Sequence, residues 1–241
     1  MSFSYKEKIS GFAWYEADAV TSTNDAIREL VKENASVVLS AVEQTGGRGR
    51  RGRKWLSIKG NLYFTFCLNI SLNELSRYIC MIGLSVAETV KKLSSKADIK
   101  IKWPNDVFLN DKKLTGILLE NIKDNLWAVG IGVNIVGSPQ IKDMPYQATS
   151  LKEEGITVER TEFLKMYLKT LTDIIEIYQK EGFGVILKRW SALAYNLGKE
   201  VTISNENRQK KGIFLRLDEN GYLILKTDKG EERIIAGDLF V

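Results

Sequence analysis

A short segment rich in arginine and glycine, flanked by strand-forming runs, constrains this chain more than any other feature. Residues 44–55 read QTGGRGRRGRKW, and five of the seven residues from 48 to 54 are cationic. Glycine lets backbone amides approach a ligand closely, and arginine presents a planar fork of donors that matches phosphate or carboxylate oxygens. The segment predicts a loop that wraps an anion. Because its charges repel one another and ordering it costs backbone entropy, we expect it to become ordered when the anion binds.

Three known glycine-rich or arginine-rich motifs compete with this interpretation. Gly47, Gly49 and Gly52 have the spacing of the dinucleotide-binding fingerprint, but that motif requires a following helix, and residues 61–69 (NLYFTFCLN) favour a strand. The P-loop fails because Arg53 and Lys54 follow the last glycine. Arginine–glycine tails that bind nucleic acid are usually long and repetitive. A loop between two strands fits the segment best.

The charge of the chain is concentrated in this loop. The chain has 35 basic and 30 acidic residues, and the loop holds five of the basic ones, so the remainder is balanced. This favours one anionic site over a nucleic-acid surface. The chain has no histidine, which excludes histidine bases, Ser-His-Asp triads and histidine metal sites. Cys67 and Cys80 lie in apolar segments, and no segment is long and apolar enough for a membrane span, so we expect a cytoplasmic protein with reduced thiols.

Apolar periodicity predicts alternating strands and helices up to residue 197. Strands are expected at 12–16, 37–42, 61–69, 99–102, 107–109, 114–119 and 126–135, and helices at 20–34, 71–95, 161–181 and 185–193. From residue 198 onward, short strands at 201–203, 212–217, 222–226 and 233–236 are separated by DENG and DKG turns. The sequence therefore predicts a domain at 1–197 and a small all-β domain at 198–241.

Five motifs together resemble those of biotin protein ligases over nearly the whole chain. They are STN at 22–24, GRGRRGRKW at 47–55, KWPND at 102–106, KLTGILLE at 113–120 and GIGVNI at 130–135. The resemblance implies an α+β fold with a mixed, largely antiparallel sheet and helices, related to class II aminoacyl-tRNA synthetases, plus a small SH3-like β-barrel at the carboxyl end. It also implies the monofunctional type, because the signatures begin by Ser22 and leave no room for a preceding DNA-binding domain.

The family reaction has two steps. Biotin carboxylate attacks the α-phosphate of ATP to give biotinyl-5′-AMP and pyrophosphate, with Mg²⁺ as cofactor. A lysine of the biotin carboxyl carrier protein of acetyl-CoA carboxylase, or of a related carboxylase, then takes the biotinyl group. The resemblance implies no nucleic-acid or membrane partner, and it allows a homodimer through an exposed sheet edge. The alternatives are a lipoate or octanoate ligase, whose signature contains a histidine, a nucleic-acid-binding protein, and a protein that only captures biotin.

The resemblance also assigns site residues. Arg48, Arg50 and Lys113 are the expected catalytic residues. Biotin contacts are expected at Ser22, Thr23, Asn24, Gln44, Arg48, Gly49, Arg50, Lys113, Gly116 and Gly132. ATP contacts are expected at Arg50, Arg51, Arg53, Trp55, Lys102, Asn105 and Asn134, and a Mg²⁺ ligand at Asp106. Structural alternatives stay open: an N-cap at 22–24, an exposed hairpin lysine at Lys113, a core tryptophan at Trp55, a turn-stabilising pair at Asn105 and Asp106, and a solvated edge at Lys102.

Overall fold

The computed structural model describes residues 2–31, 36–139, 146–205 and 208–240. The strands are β1 Ser4–Ile9, β2 Phe12–Val20, β3 Val37–Gln44, β4 Leu62–Asn69, β5 Ile99–Lys102, β6 Asp106–Leu109, β7 Lys112–Lys123, β8 Leu126–Val133, β9 Glu200–Asn205, β10 Arg208–Leu217, β11 Leu223–Thr227, β12 Gly230–Ile234 and β13 Asp238–Phe240. The helices are α1 Thr23–Ala26, α2 Leu75–Leu93, α3 Arg160–Glu181 and α4 Phe183–Ala192. The chain divides into two compact units, Met1–Leu72 with Lys112–Lys169, and Asn73–Asp111 with Thr170–Val241.

The first unit is built on a mixed sheet with the strand order β1-β2-β3-β4-β8-β7. The β2–β3 pair is parallel, and the other pairs are antiparallel. Strand β4 lies at the centre and is buried on both faces, which explains why its sequence is almost continuously apolar. The mixed, largely antiparallel sheet that the resemblance implied is confirmed.

The period of two along β4 divides its side chains between the two faces of this sheet. Phe64 and Phe66 contact Tyr167 of α3, with ring centroids 5.3 and 6.0 Å apart. On the other face, Cys67 belongs to the apolar cluster that packs around α1, and Thr65 is buried next to the same helix. Strand β4 therefore presents the polar side chain of Thr65 toward α1.

The second unit contains α2, α4, the antiparallel pair β5–β6 and a small antiparallel sheet with the order β12-β11-β10-β9-β13. Arg189 of α4 donates to both carboxylate oxygens of Glu88 of α2, at 2.9 and 2.6 Å. The small sheet fits the predicted SH3-like domain. Its closure into a barrel and the boundary at residue 198 stay predictions.

Most predicted elements are confirmed within a few residues, but the first helix is much shorter than predicted. The expectation was a helix over 20–34, whereas α1 ends at Ala26 and continues as a 3-10 turn, Ile27–Glu29. Leu30 and Val31 still pack against the apolar cluster around α1, so burial of the predicted apolar residues does not require a longer α-helix there. Residues 32–34 of the predicted helix lie outside the described residues. Strands β1 and β13 were not predicted.

Both cysteines are buried and free, as predicted. Burial raises the pKa of each thiol to about 12. None of the described helices is long and apolar enough to cross a membrane.

Candidate active site

Four of the polar residues near α1 form one buried or half-buried hydrogen-bonded cluster. Thr23 donates its backbone N–H to Gln44 Oε1 at 2.8 Å, and its hydroxyl lies 3.1 Å from the same oxygen. Thr65 lies 2.8 Å from the Thr23 hydroxyl and donates to Asn24 Oδ1 at 2.6 Å. The structure therefore brings the predicted Thr23, Asn24 and Gln44 together, and adds Thr65, which the sequence analysis missed.

Asn24 is held on both sides of its amide group. Its Nδ2 donates to Glu120 Oε2 at 2.7 Å, while its Oδ1 accepts from Thr65. A Cβ atom at Gly130 would lie 2.3 Å from Asn24 Oδ1, so this strand position requires glycine. Glu120, the last residue of the KLTGILLE motif, was not among the predicted site residues. Ser22 is the N-cap residue of α1, but its side chain makes no capping hydrogen bond.

The arginine segment folds as a short hairpin. Arg48 and Lys54 form an isolated antiparallel bridge, Gly49 N–H donates to Arg53 O at 2.6 Å, and Trp55 N–H donates to Gly47 O at 3.0 Å. A Cβ atom at Gly47 would lie 2.6 Å from Trp55 O, which explains the glycine there. The ordering of this loop on ligand binding stays a prediction.

The cations of the loop separate into two groups. Arg48, at the base, donates through both terminal nitrogens to Asp25, at 2.6 and 2.8 Å, and Nη2 lies 3.3 Å from both oxygens of Glu120. Arg50 and Arg51 lie at the tip, where the chain reverses with Arg51 and Gly52 at φ 56° and 73°. Arg51 and Lys54 are exposed, whereas Arg50 and Arg53 are half-buried.

Trp55 ends the loop and lies flat on two neighbouring strands. A Cβ atom at Gly116 or at Gly132 would approach the indole to 2.7 or 2.4 Å, and these two glycines are paired across β7 and β8. In this structure the Trp55 indole therefore occupies the space that a side chain at either position would need. Its Nε1 is buried and has no hydrogen-bond partner among the described residues, so a donor is available to an acceptor that enters here.

Lys113 lies beside the same tryptophan. Its Nζ is 5.6 Å from the Trp55 ring centroid, 5.3 Å from the Tyr146 ring centroid and 3.5 Å from the Tyr146 hydroxyl. Lys113 is half-buried, so the alternative of an exposed hairpin lysine is wrong. The loop and Lys113, two of the predicted cationic elements, therefore meet at Trp55.

Asn134 has a clear structural function at the end of β8. Its Oδ1 accepts from Asn61 Nδ2 at 3.3 Å, and its Nδ2 donates to Thr149 O at 2.9 Å. Asn61 Oδ1 in turn accepts the backbone N–H groups of residues 135–137 at 2.9 to 3.3 Å. These contacts order the chain that follows β8, and an ATP contact by Asn134 stays a prediction.

The KWPND motif lies in the second unit. Lys102 is buried, with Nζ 5.4 Å from the Phe108 ring centroid and 5.7 Å from that of Phe240, so the alternative of a solvated edge is wrong. Asn105 is also buried, and Asp106 is half-buried at the start of β6. Within the described residues, no group of three or more His, Cys, Asp or Glu side chains is placed to hold a metal. The Mg²⁺ ligand at Asp106 stays a prediction.

Comparison with known proteins matches both parts of the chain. Residues 16–135 match the biotin/lipoate A/B protein ligase family, and residues 197–241 match the biotin protein ligase C-terminal domain. A biotin–[acetyl-CoA-carboxylase] ligase from Paracoccus denitrificans is 34% identical over 233 aligned residues and covers 91% of this chain, which in turn covers 96% of it. The chain belongs to the biotin protein ligase family.

Other biotin protein ligases match in structure and in sequence. The Aquifex aeolicus enzyme, solved in complex with biotin and ATP, has a TM-score of 0.84 and 31% identity, and the match covers 94% of this chain and 97% of that one. The bifunctional ligase/repressor BirA of Escherichia coli is 32% identical over 221 residues, which cover 87% of this chain and 68% of BirA. The resemblance predicted from the five motifs is confirmed.

Proposed function

We propose that this chain is an ATP-dependent biotin protein ligase. It activates biotin with ATP to biotinyl-5′-AMP, releasing pyrophosphate. It then transfers the biotinyl group, with release of AMP, to the amine of a lysine in a biotin carboxyl carrier domain of acetyl-CoA carboxylase or a related carboxylase. The observation that carries the proposal is the arrangement around Trp55. A neutral polar cluster with Thr23 and Gln44 lies on the same face of the sheet as a cationic loop and Lys113.

The charges on this face suit the reaction. A carboxylate and a triphosphate repel each other, so cations must lie where the two meet. Lys113, held between two aromatic rings, holds the biotin carboxylate and then polarises the acyl carbonyl. Arg50 and Arg51 at the loop tip, together with Arg53, contact the phosphates. Positioning and charge stabilisation are sufficient, because adenylate formation requires no covalent intermediate with the protein.

The neutral cluster suits the ureido ring of biotin. That ring has donors and an acceptor but no charge, so a buried pocket must satisfy them with polar groups. Ser22, Thr23 and Gln44 provide hydroxyl and amide groups there. Gly116 and Gly132 keep the strands free of side chains on this face, and Trp55 covers them.

In the second unit, Lys102, Asn105 and Asp106 are proposed as ligands of ATP and its metal. Asp106 and Asn105 supply the hard oxygen donors that Mg²⁺ prefers, and one or two protein oxygens are sufficient for Mg²⁺ on a nucleotide. The ion neutralises phosphate charge when it is bound. The cytoplasmic location, the homodimer and the absence of a nucleic-acid partner stay predictions.

The function is tested by mass measurement of a carrier domain after incubation with the protein, biotin and Mg·ATP. We expect the carrier to gain the mass of one biotinyl group, dependent on ATP and on its acceptor lysine. A parallel reaction with lipoate is the control for the related ligase activity. Modification with lipoate and none with biotin would redirect the proposal to a lipoate ligase, and modification with neither would contradict it.

A further inference from the structure

The side chain of Arg48, at the base of the loop, faces carboxylates from two different elements. Its guanidinium makes two hydrogen bonds to Asp25 of α1 and lies 3.3 Å from both oxygens of Glu120 of β7. One positive charge therefore faces two negative charges from two different elements. The hydrogen bond to Asp25 raises the pKa of Arg48 above its ordinary value and lowers the pKa of Asp25.

These contacts make Arg48 a poor ligand for a phosphate. An anion at its guanidinium would have to displace at least one carboxylate and would then lie beside both of them, so repulsion opposes the exchange. The tip cations Arg50 and Arg51 lie beyond this base of the hairpin, which the Arg48–Lys54 bridge closes. The position of Arg48 is that of an attachment point for the loop.

Glu120 connects this attachment point to the buried polar cluster. Its carboxylate accepts from Asn24 Nδ2 at 2.7 Å and also faces Arg48. Asn24 is fixed in turn by Thr65, which contacts Thr23 as well. A continuous set of polar contacts therefore runs from the base of the loop to the proposed biotin contacts.

We propose that Arg48, Asp25 and Glu120 are positioning residues that anchor the base of the arginine loop beside the biotin cluster. This inference rests on the proposed function, and it gives the Arg48 side chain a role different from the catalytic one that the resemblance implied. A single exposed ion pair contributes little, but a bidentate pair shared with a second carboxylate forms a network. The anchor fixes the base of the hairpin, beyond which the tip cations Arg50 and Arg51 lie.

The anchor is tested by the rate at which chymotrypsin cleaves after Trp55 in the ligand-free protein. This measurement does not depend on ligase activity, and because chymotrypsin recognises Trp55, changing Arg48 removes no cleavage site. Arg48→Gln and the pair Asp25→Asn/Glu120→Gln should each raise the cleavage rate by about fivefold, the loss expected for one ion-pair network. The cleavage rate of the triple variant should be close to that of either of these variants, because all of the changes remove the same interaction. Glu231→Gln, which breaks the exposed bidentate pair with Arg216 in the second unit, is the matched control and should leave cleavage unchanged.

A charge exchange separates the anchor from a phosphate contact. Arg48→Glu should raise both cleavage and KM for ATP, because it places three carboxylates together. Adding Asp25→Arg places one cation between two carboxylates again, and both quantities should return to within about threefold of wild type. Recovery supports the anchor. Lasting elevation of KM despite normal cleavage would show that Arg48 binds ATP directly, and would overturn it.

If the Arg48→Glu/Asp25→Arg variant does not fold, Arg48→Gln and Asp25→Asn/Glu120→Gln still test the anchor. Cleavage rates raised equally in both variants support it, and a wild-type rate in the carboxylate variant overturns it. A wild-type protein that transfers no biotin contradicts the proposed function, whereas the cleavage results still judge the anchor.

Discussion

The side chain of Lys113 is held by two aromatic rings. Its ammonium lies over the rings of Trp55 and Tyr146, at 5.6 and 5.3 Å from their centroids. Each such cation–π contact contributes about 0.5–2 kcal/mol, depending on how far the cation is desolvated. The rings attract the positive charge, so these contacts hold the lysine side chain in place beside Trp55.

We expect Lys113→Ala to lower biotin-dependent pyrophosphate exchange by about 100-fold or more, the usual effect of removing one group that stabilises developing charge. Lys112→Ala is the matched control, because the neighbouring lysine forms a partly exposed ion pair with Glu154 at 3.1 Å. Its exchange rate should stay within about twofold of wild type. Equal losses in the two variants would contradict the role of Lys113.

At the scale of elements, the period of two in the strands decides which residues reach the site. Thr65 of β4 and Gly130 of β8 are opposite each other in the sheet, and both contact Asn24. Gly132 lies two residues further along β8, on the same face, and supports Trp55. At these three positions the face toward α1 is polar or free of side chains. On the opposite face, Phe64 and Phe66 pack against Tyr167 of α3.

Gly132→Ala tests this arrangement. The added methyl group would lie 2.4 Å from the Trp55 ring, so the indole must move. We expect a changed tryptophan emission spectrum and an increase of about tenfold or more in Kd for biotin, as in other overpacked sites. Gly184→Ala is the control, because no atom of the described residues lies within 4 Å of a Cβ at that position in α4, and alanine favours helix. An unchanged Kd for Gly132→Ala would contradict the placement of Gly132 and Trp55 in the biotin site.

Local patterns predicted most elements, but they did not predict contacts between distant segments. Strand β4 and helix α2 follow directly from their apolar residues. Strand β1 is polar and exposed, and it is a strand because it pairs with β2. Glu120 and Asn24 are 96 residues apart, so only the sheet register brings them together. Thr65 was missed in the same way, because its partners Thr23 and Asn24 are 42 and 41 residues away in the sequence and nothing local distinguishes it from other strand-forming residues.

At the scale of the whole molecule, both free thiols, Cys67 and Cys80, are buried. Burial raises the pKa of Cys67 and Cys80 from 9.0 to about 12. The unfolded chain therefore loses these protons above pH 9, while the folded chain retains them, so this contribution to stability is present below pH 9 and is lost between pH 9 and 12.

We accordingly expect a thiol reagent at pH 8 to label neither cysteine in the native protein within minutes and to label both in urea. Stability against urea should fall from pH 9 to pH 10.5, and Cys67→Ala/Cys80→Ala should reduce that slope. Rapid labelling of the folded protein would contradict the buried placement of the thiols.

Ligand binding should change the loop more than any other part of the molecule. Trypsin cleaves at arginines, and four of them lie between residues 48 and 53. Biotin together with Mg·ATP should slow this cleavage, because phosphates offset the repulsion between the tip cations. Cleavage at the same rate with and without the ligands would contradict the ordering of the loop.

The central claim is that cations on this sheet face bring two mutually repelling substrates into bonding contact. The most direct measurement is the mass of the small molecules bound to the protein after incubation with biotin and Mg·ATP and removal of excess ligand. Our account predicts stoichiometric biotinyl-5′-AMP with release of pyrophosphate, and a loss of both in Lys113→Ala and Arg50→Ala. Unreacted biotin and ATP on the wild-type protein, with no adenylate, would contradict it.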